Sequence, residues 1–498
     1  MADQPLAIVD LGSNSGRVVV LRIDAAGHLE ILGDGRSPLR LARDVGNGGR
    51  LSAEAIERTV DALKDFQAVA EGTGARRTIA VATAAIRESK NGDELLERIL
   101  VQSGLAVRII DGEEEARYAF LGAIYGIQAE NGIVMDIGGG SVELARFRHR
   151  ALTDTWSLPL GALRLSDRFL GTDPPTEDEA DDLRRYVRRV LAEHEIRQLG
   201  SDEELIGTGG TIRNLAKMDR YGRTYPISRL HGYVLTRRRM QDVSERLASR
   251  SAARRRAIPG LNADRADSIV GGALGAETVM DALETGAMTV SDQGLREGLV
   301  YEAAGSPSPS LEVVRRASMG ALAHRFTSWD SGRADQRSRI ALRLLDALGE
   351  QAGPNVRERV SNAATILDIG RSIDYYRRYE HTADILTESD LAGFSHRKLA
   401  LLAAVIRQAG DEKMKVSLYR PLLGPDDRDP VARQATFVAI ADEVEQRIAP
   451  GKTLPVEFEE RRREVIARVP VFDRYRQGLL ADRFQRVFRK RLVFEPPA

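Results

Sequence analysis

Cysteine is absent from the 498 residues, which excludes a disulfide framework and any thiolate nucleophile or metal ligand. No apolar run approaches the roughly 20 residues needed to span a bilayer. The first residues, MADQPLAIVD, place no basic stretch ahead of an apolar one, so no secretory leader is expected. A surplus of either charge is missing too: 73 acidic residues balance 73 basic ones. A balanced chain lacks the basic excess that drives unspecific nucleic-acid binding. These absences lead us to expect a cytoplasmic protein with no membrane partner and no specific nucleic-acid partner. The length itself predicts several domains, since single cores seldom grow past about 250 to 300 residues. Arginine is clustered, at Arg184, Arg185, Arg188 and Arg189, at Arg254 to Arg256, and at Arg489, Lys490 and Arg491. Such clusters are ordinarily solvated helix faces; the alternative is a local basic channel.

What is present is a repeat. LAIVDLGSNSGRVVVLRID begins at Leu6 and GIVMDIGGGSVELARFRHR at Gly132. Each is an apolar strand ending in Asp (Asp10, Asp136), with Gly two residues on (Gly12, Gly138), Ser five residues on (Ser15, Ser141), and a second strand. Strand, tight glycine turn, strand is not the strand, loop, helix order of a P-loop or dinucleotide fingerprint. Two such hairpins suggest duplicated α/β lobes facing each other across a cleft. Strands are expected in TIAVATAAIRE and LAVRIID, and helices over 51–70, 93–103 and 177–199. EELIGTGGTIRNLAKM reads as strand, turn, helix. GSPSPS (305–310) is the best linker in the chain. Beyond it the pattern is almost wholly helical (311–323, 337–352 and 397–408), broken by PLLGPDDRDP.

Successive backbone N–H groups bind phosphate well where glycine lets the chain approach and small hydroxyl residues add donors. Gly12, Ser13, Asn14 and Ser15, and Gly138, Gly139, Gly140 and Ser141, meet that need. Gly and Asn also suit ordinary hairpin turns, but the repetition favours a paired phosphate site. Glu143 follows Ser141 by two and shares its face of the strand. Asp136 and Glu143, with Asp10 from the other lobe, make a candidate magnesium (or manganese) set. In DGEEEAR, Asp111 and Glu114 form a capping-box pattern; the functional reading makes Glu114 the group that orients or deprotonates an attacking water. Arg87 is a candidate phosphate donor. Gly209 and Thr211 open a helix whose free N–H groups make an anion or nucleotide site.

Taken together, DLGSNS, ATAAIRESKN, GEEEAR, DIGGGSVEL, SLPLGALRL, GTGGT, LHGY, RADSIVGGA and SDQGLREGL resemble the exopolyphosphatase and guanosine pentaphosphate phosphohydrolase family, within the sugar kinase, heat-shock chaperone and actin superfamily. The resemblance runs from residue 6 to about 301. It implies two actin-like (ribonuclease H-like) α/β lobes, 1–125 and 126–304, around a central cleft. An all-α HD-like domain, 311–445, and a small C-terminal region, 446–498, would follow. It implies that Glu114 handles the water, that Asp136 and Glu143 serve magnesium and the water, and that Arg87 and both turns contact phosphate. It also implies a homodimer. In the HD-like region Leu367 precedes Asp368 where the family pattern has His-Asp, and an earlier His is replaced, on a loose alignment, by Arg333. Imidazole and carboxylate ligands are generally needed together, so no catalytic metal is expected there. The resulting expectation is a magnesium-assisted exopolyphosphatase releasing terminal orthophosphate. The alternatives are a guanosine pentaphosphate phosphohydrolase, an ATP-dependent kinase of the same superfamily, and a nucleotide-binding sensor.

Overall fold

The computed structural model describes residues 4–24, 27–46, 48–305, 310–348 and 352–497; most of the expected linker at 305–310 lies outside them. The chain forms two compact units, Met1–Arg223 with Leu230–Ala317, and Thr224–Arg229 with Ser318–Ala498.

The first unit holds two sheets. In the first, β1 (Leu6–Leu11), β2 (Ser15–Ile23) and β3 (Leu29–Pro38) form an antiparallel meander. Strands β4 (Arg77–Ala82) and β5 (Val107–Ile109) then add in parallel, giving the order β3-β2-β1-β4-β5. The second repeats this with β6 (Gly132–Ile137), β7 (Val142–Arg148) and β8 (Ala151–Leu158) as the meander, then β9 (Glu204–Thr208) and β11 (Ala287–Val290) in parallel. Strand β10 (Tyr233–Thr236) is an extra antiparallel edge, so the order is β10-β11-β9-β6-β7-β8. The duplication read from two glycine turns therefore extends to whole sheets. Each central strand is buried on both faces, as parallel-sheet interiors are: Ala7, Ile8 and Val9 in β1, and Ile133, Val134 and Met135 in β6.

The expected helices form as Ala53–Gly72, Gly92–Ser103 and Glu177–Glu193. The third ends earlier than expected, because His194 and the left-handed Glu195 close it and 195–200 runs on without helix. Helix Gly112–Tyr125 follows the last strand of the first sheet but packs on the second, with Ala116, Phe120 and Ala123 against Val134, Phe147 and Ile206. It therefore stands with the second lobe although its sequence lies within 1–125.

The second unit is helical through Arg428–Glu445. Beyond it β12 (Glu457–Glu460), β13 (Glu464–Arg468) and β14 (Arg491–Glu495) form a small sheet with helix Arg474–Phe488. This C-terminal region shares a core with the preceding helices: Phe484 and Val465 pack with Leu344 and Phe437. Among the described residues no helix is long and apolar enough to cross a membrane.

Candidate active site

The two hairpins place equivalent residues in equivalent register. Asp10 sits opposite Arg17 on β1 and β2; Asp136 sits opposite Glu143 on β6 and β7. Both turns close with the same bond, Gly12 N–H to Ser15 O at 3.2 Å and Gly138 N–H to Ser141 O at 3.0 Å. Turn carbonyls are taken up from behind: Asn14 O accepts from Leu39 and Arg40, and Gly139 O from Leu163 and Arg164. Negative ends of the peptide dipoles are thereby engaged elsewhere, as a backbone approached by an anion requires. The turns meet closely enough that a Cβ on Gly139 would lie 3.2 Å from the Ser13 Cβ, and one on Gly140 would lie 3.0 Å from the Ser13 Oγ. A side chain there would fit only if Ser13 and its neighbours gave way by a few tenths of an ångström.

A cavity of about 110 Å³ lies between them, several times the space one water needs. It is lined by Asp10, Gly12, Ser13, Asn14, Ser15, Gly138, Gly139, Ser141, Asp136 and Glu143 from the hairpins, and by Gly209 from a third element. Gly209 adopts φ +88°, and any Cβ there would strike the Asp136 carboxylate. Gly140 instead lines a neighbouring groove with Ser13. Thr211 is buried and takes no part in the lining; its methyl packs toward Gly272. It is a packing residue of the helix start.

Glu114 does not reach the cavity. It is the third residue of helix Gly112–Tyr125, where its N–H meets the Asp111 carboxylate at 2.8 Å, its own carboxylate reaches back to the Asp111 N–H, and Arg108 pairs with it. The capping pattern describes this residue, and a carboxylate folded back over the helix start is turned away from the cleft. Its neighbour Glu115 lines the cavity. Burial pushes the Glu115 carboxyl well above its usual range, the Glu143 carboxylate adds to this, and Arg87 opposes it. Arg87 lies behind Glu115, at 3.4 Å from its carboxylate and 2.7 Å from the Ile110 carbonyl, and is outside the cavity lining.

The carboxylates share one electrostatic situation. Burial raises Asp10, with Arg296 and Arg17 opposing. Burial raises Asp136 to about 6, held back by Arg213 and pushed further by Asp10. Glu143 is raised by burial and by Asp136, against hydrogen bonds from Ser141 and Ser157, the latter at 3.0 Å. Facing them are four arginines that sequence reasoning did not single out: Arg17, Arg213, Arg265 and Arg296. Burial lowers Arg17 to about 9 and Arg265 to about 10, each depressed further by neighbouring arginines. Arg213 is lowered by burial and by Arg296, and its Nη1 donates to the Asp292 carbonyl at 3.0 Å. Buried cations crowded this way gain from an arriving polyanion. Arg17 was within reach of the sequence, being at the position of Glu143 in the first repeat; the other three come from distant helices and turns.

Among the described residues no group of three or more acidic or histidine side chains is gathered tightly enough to hold a metal by itself. Asp10, Asp136 and Glu143 thus do not form a ready ligand cage. Magnesium usually takes only one or two carboxylates, with waters and substrate oxygens completing its shell, and Asp136 beside Asp10 fits that lesser demand.

In the second unit the carboxylates Asp368, Asp442 and Glu445 converge on a cation that belongs to the chain. Arg337, 1% exposed, meets Asp368 at 2.5 Å, Asp442 at 3.1 Å and Glu445 at 3.4 Å. Arg333, one turn earlier, reaches Glu445 from the edge at 2.7 Å. Within the arginine clusters, Arg184 and Arg185 pair with Asp181 and Asp182 on their own helix, and Arg255 is buried against Asp173 and the Ala266 carbonyl.

Comparison with known proteins gives the family. The family model of the Ppx/GppA phosphatase family matches residues 19–306, and that of Ppx/GppA phosphatase domain III matches 314–435. Exopolyphosphatase 1 of Mycobacterium tuberculosis is 30% identical over 318 residues, covering 63% of this chain and 92% of that protein. The solved Ppx/GppA family member of Aquifex aeolicus is 31% identical with TM-score 0.53, over 60% of this chain and 97% of the other. An exopolyphosphatase structure from Cytophaga hutchinsonii is 29% identical with TM-score 0.56, over 62% and 100%. With the duplicated sheets, the paired turns and the matched domain III, this chain belongs to the Ppx/GppA phosphatase family and is a hydrolase of that family's actin-like fold.

Proposed function

We propose that the chain is an exopolyphosphatase, hydrolysing the terminal phosphoanhydride bond of inorganic polyphosphate. The observation that carries the reading is the cavity's composition. Four arginines, Arg265 buried and Arg17, Arg213 and Arg296 half-buried, face four carboxylates around the two turns. Among the described residues none that lines the cavity is aromatic, so no base-stacking platform is present.

In this reading the end phosphate rests between turns 12–15 and 138–141. Arg17, Arg213, Arg265 and Arg296 take the charge of that group and the next. Glu115, its carboxylate raised by burial, accepts a proton from water as the water attacks the terminal phosphorus in line. The bridging P–O bond breaks, its electrons leave on the shortened chain, and the pocket cations offset that charge. Positioning and charge stabilisation carry most of such a transfer. Asp136 and Asp10 would hold magnesium, which when bound supplies further charge neutralisation on the phosphate oxygens. Arg87 acts here through Glu115, keeping its carboxylate oriented, and does not itself meet phosphate. The reading extends to a cytoplasmic homodimer, the assembly being checked by sedimentation of the purified chain.

Guanosine pentaphosphate is the second reading, because its 5′ end offers the same terminal group to the same turns. Time-resolved sizing of long-chain polyphosphate products separates the possibilities. Loss of one phosphate at a time without mid-length fragments is expected, with slower release from guanosine pentaphosphate at equal end concentration. Mid-length fragments, or phosphate passed to an added acceptor instead of water, would overturn the proposal.

A further inference from the structure

Between the turn 12–15 of the first lobe and Arg265 of the second runs a continuous chain of contacts that the chemistry above does not use. Leu39 and Arg40 donate their backbone N–H groups to Asn14 O at 3.0 and 2.9 Å, and Ala42 donates to Ser13 O at 3.0 Å. The stretch 36–43 is thus fastened to the phosphate turn from behind. Its side chains point the other way in the chain of contacts, to the second lobe. Arg40 reaches the Asp267 carboxylate at 3.0 Å and the Asp264 carbonyl at 3.2 Å; Arg43 reaches Asp267 at 2.9 Å and lies 3.7 Å from Asp167; Arg36 pairs with the Asp264 carboxylate. Arg40 also holds a left-handed backbone, φ 55°, which a non-glycine residue adopts at some cost.

Asp264 and Asp267 flank Arg265 on one tight turn. Arg265 turns inward, 7% exposed, lines the cavity and lies against Gly210, where an added Cβ would fall within 2.2 Å of its Nη2. Its backbone neighbours face lobe one while its guanidinium faces the cleft. Movement of the lobes apart would pull this turn, and Arg265 with it, away from the end group.

We propose that Arg36, Arg40 and Arg43 are positioning residues: they clamp the 264–267 turn to the first lobe and so couple cleft closure to the placement of Arg265. The inference rests on the reading that Arg265 meets a substrate phosphate. None of the three touches substrate. Each pair taken alone is partly exposed and of modest worth, but all act on one turn, and coupling between linked sites is typically 5-fold or more in affinity.

The test uses the full chain with Asp264→Asn and Asp267→Asn combined, and Arg40→Gln as a milder second variant. Tripolyphosphate hydrolysis should show KM raised about 5-fold or more, with kcat within about 2-fold. In an Arg265→Gln background the same changes should add less than about 2-fold, because the clamp then has nothing to place. The absence of native cysteine lets Glu71→Cys and Glu193→Cys carry the only spin labels, one on each lobe. The label-to-label distance should lengthen or broaden in the clamp variants without substrate. An unchanged KM, or an equal KM rise in the Arg265→Gln background, overturns the coupling, as does an unchanged distance. If the distance responds but the unaltered protein releases no phosphate, the clamp stands and the assigned activity falls.

Discussion

Two groups of buried carboxylates in this chain have opposite fates. In the first unit, Asp10, Asp136, Glu143 and Glu115 surround a cavity, and burial with mutual repulsion raises them. In the second, Asp368, Asp442 and Glu445 close on Arg337, and for Asp442 the attraction of Arg337 and Arg378 outweighs burial and lowers its carboxyl. The first group stands where cations and anionic substrate can still enter. The second is satisfied by a side chain that cannot leave. The comparison teaches that a carboxylate cluster marks a chemical site only where its charge is left for something else to complete.

The comparison breaks most visibly at Arg337. Arg337→Met removes the one cation that all three buried carboxylates share, leaving only Arg333 on Glu445, Arg378 on Asp442 and Arg371 near Asp368, a change expected to cost about 3–5 kcal/mol. The chain's two tryptophans fall one in each unit, Trp156 in β8 and Trp329 beside the Thr365 carbonyl. Single-tryptophan variants should show the Trp329 denaturant transition moving sharply and the Trp156 transition staying in place. A shift under about 1 kcal/mol would mean the acids do not depend on the plug.

The pH dependences should have opposite signs. Asp136, folded at about 6 against an ordinary 3.8, binds protons more readily folded than unfolded. Its stabilisation is full below the unfolded value and is lost as pH rises through about 6. Asp136→Asn should flatten that loss, worth about 2 kcal/mol at neutral pH after allowance for the face open to the cleft. Asp442, lowered in the folded state, stabilises above its ordinary value and loses that contribution as acid carries it through the folded one. Urea midpoints from Trp329 taken down to about pH 2 check the Asp442 slope, and those from Trp156 between about pH 4 and 7 check the Asp136 slope.

Smaller effects sharpen the cleft side. Arg17→Gln should raise KM for tripolyphosphate about tenfold, the worth of one charge-assisted contact, with kcat less affected. Glu114→Ala should cost about 0.3–1 kcal/mol of stability through the helix start while phosphate release stays near normal.

Much of this is legible in the sequence. The Asp-x-Gly-x-x-Ser repeat located both turns, and their pairing in one cavity follows from the shared 3-2-1-4-5 strand order. The motif points to Glu114 because a residue string does not encode which side of a helix start faces inward; the capping bonds fold the Glu114 carboxylate over the helix start, and Glu115 lines the cavity. Thr211 belongs to a helix start whose free N–H groups suggest an anion site, yet one residue past Gly210 its side chain has already turned into the core. Arg213, Arg265 and Arg296 were hidden among many arginines, since only tertiary packing brings them together. The C-terminal sheet escaped because β13 and β14 pair in parallel across an intervening helix, a contact that local alternation does not reveal.

The most direct measurement sets Glu115→Gln beside Glu114→Gln in single-turnover phosphate release from polyphosphate with magnesium. Glu115→Gln should be slowed by about 10²-fold or more while remaining folded, and Glu114→Gln should stay within about 3-fold of the unaltered chain. Near-normal release by Glu115→Gln, or the larger loss falling on Glu114→Gln, would contradict the assignment of water activation to the carboxylate that faces the cleft.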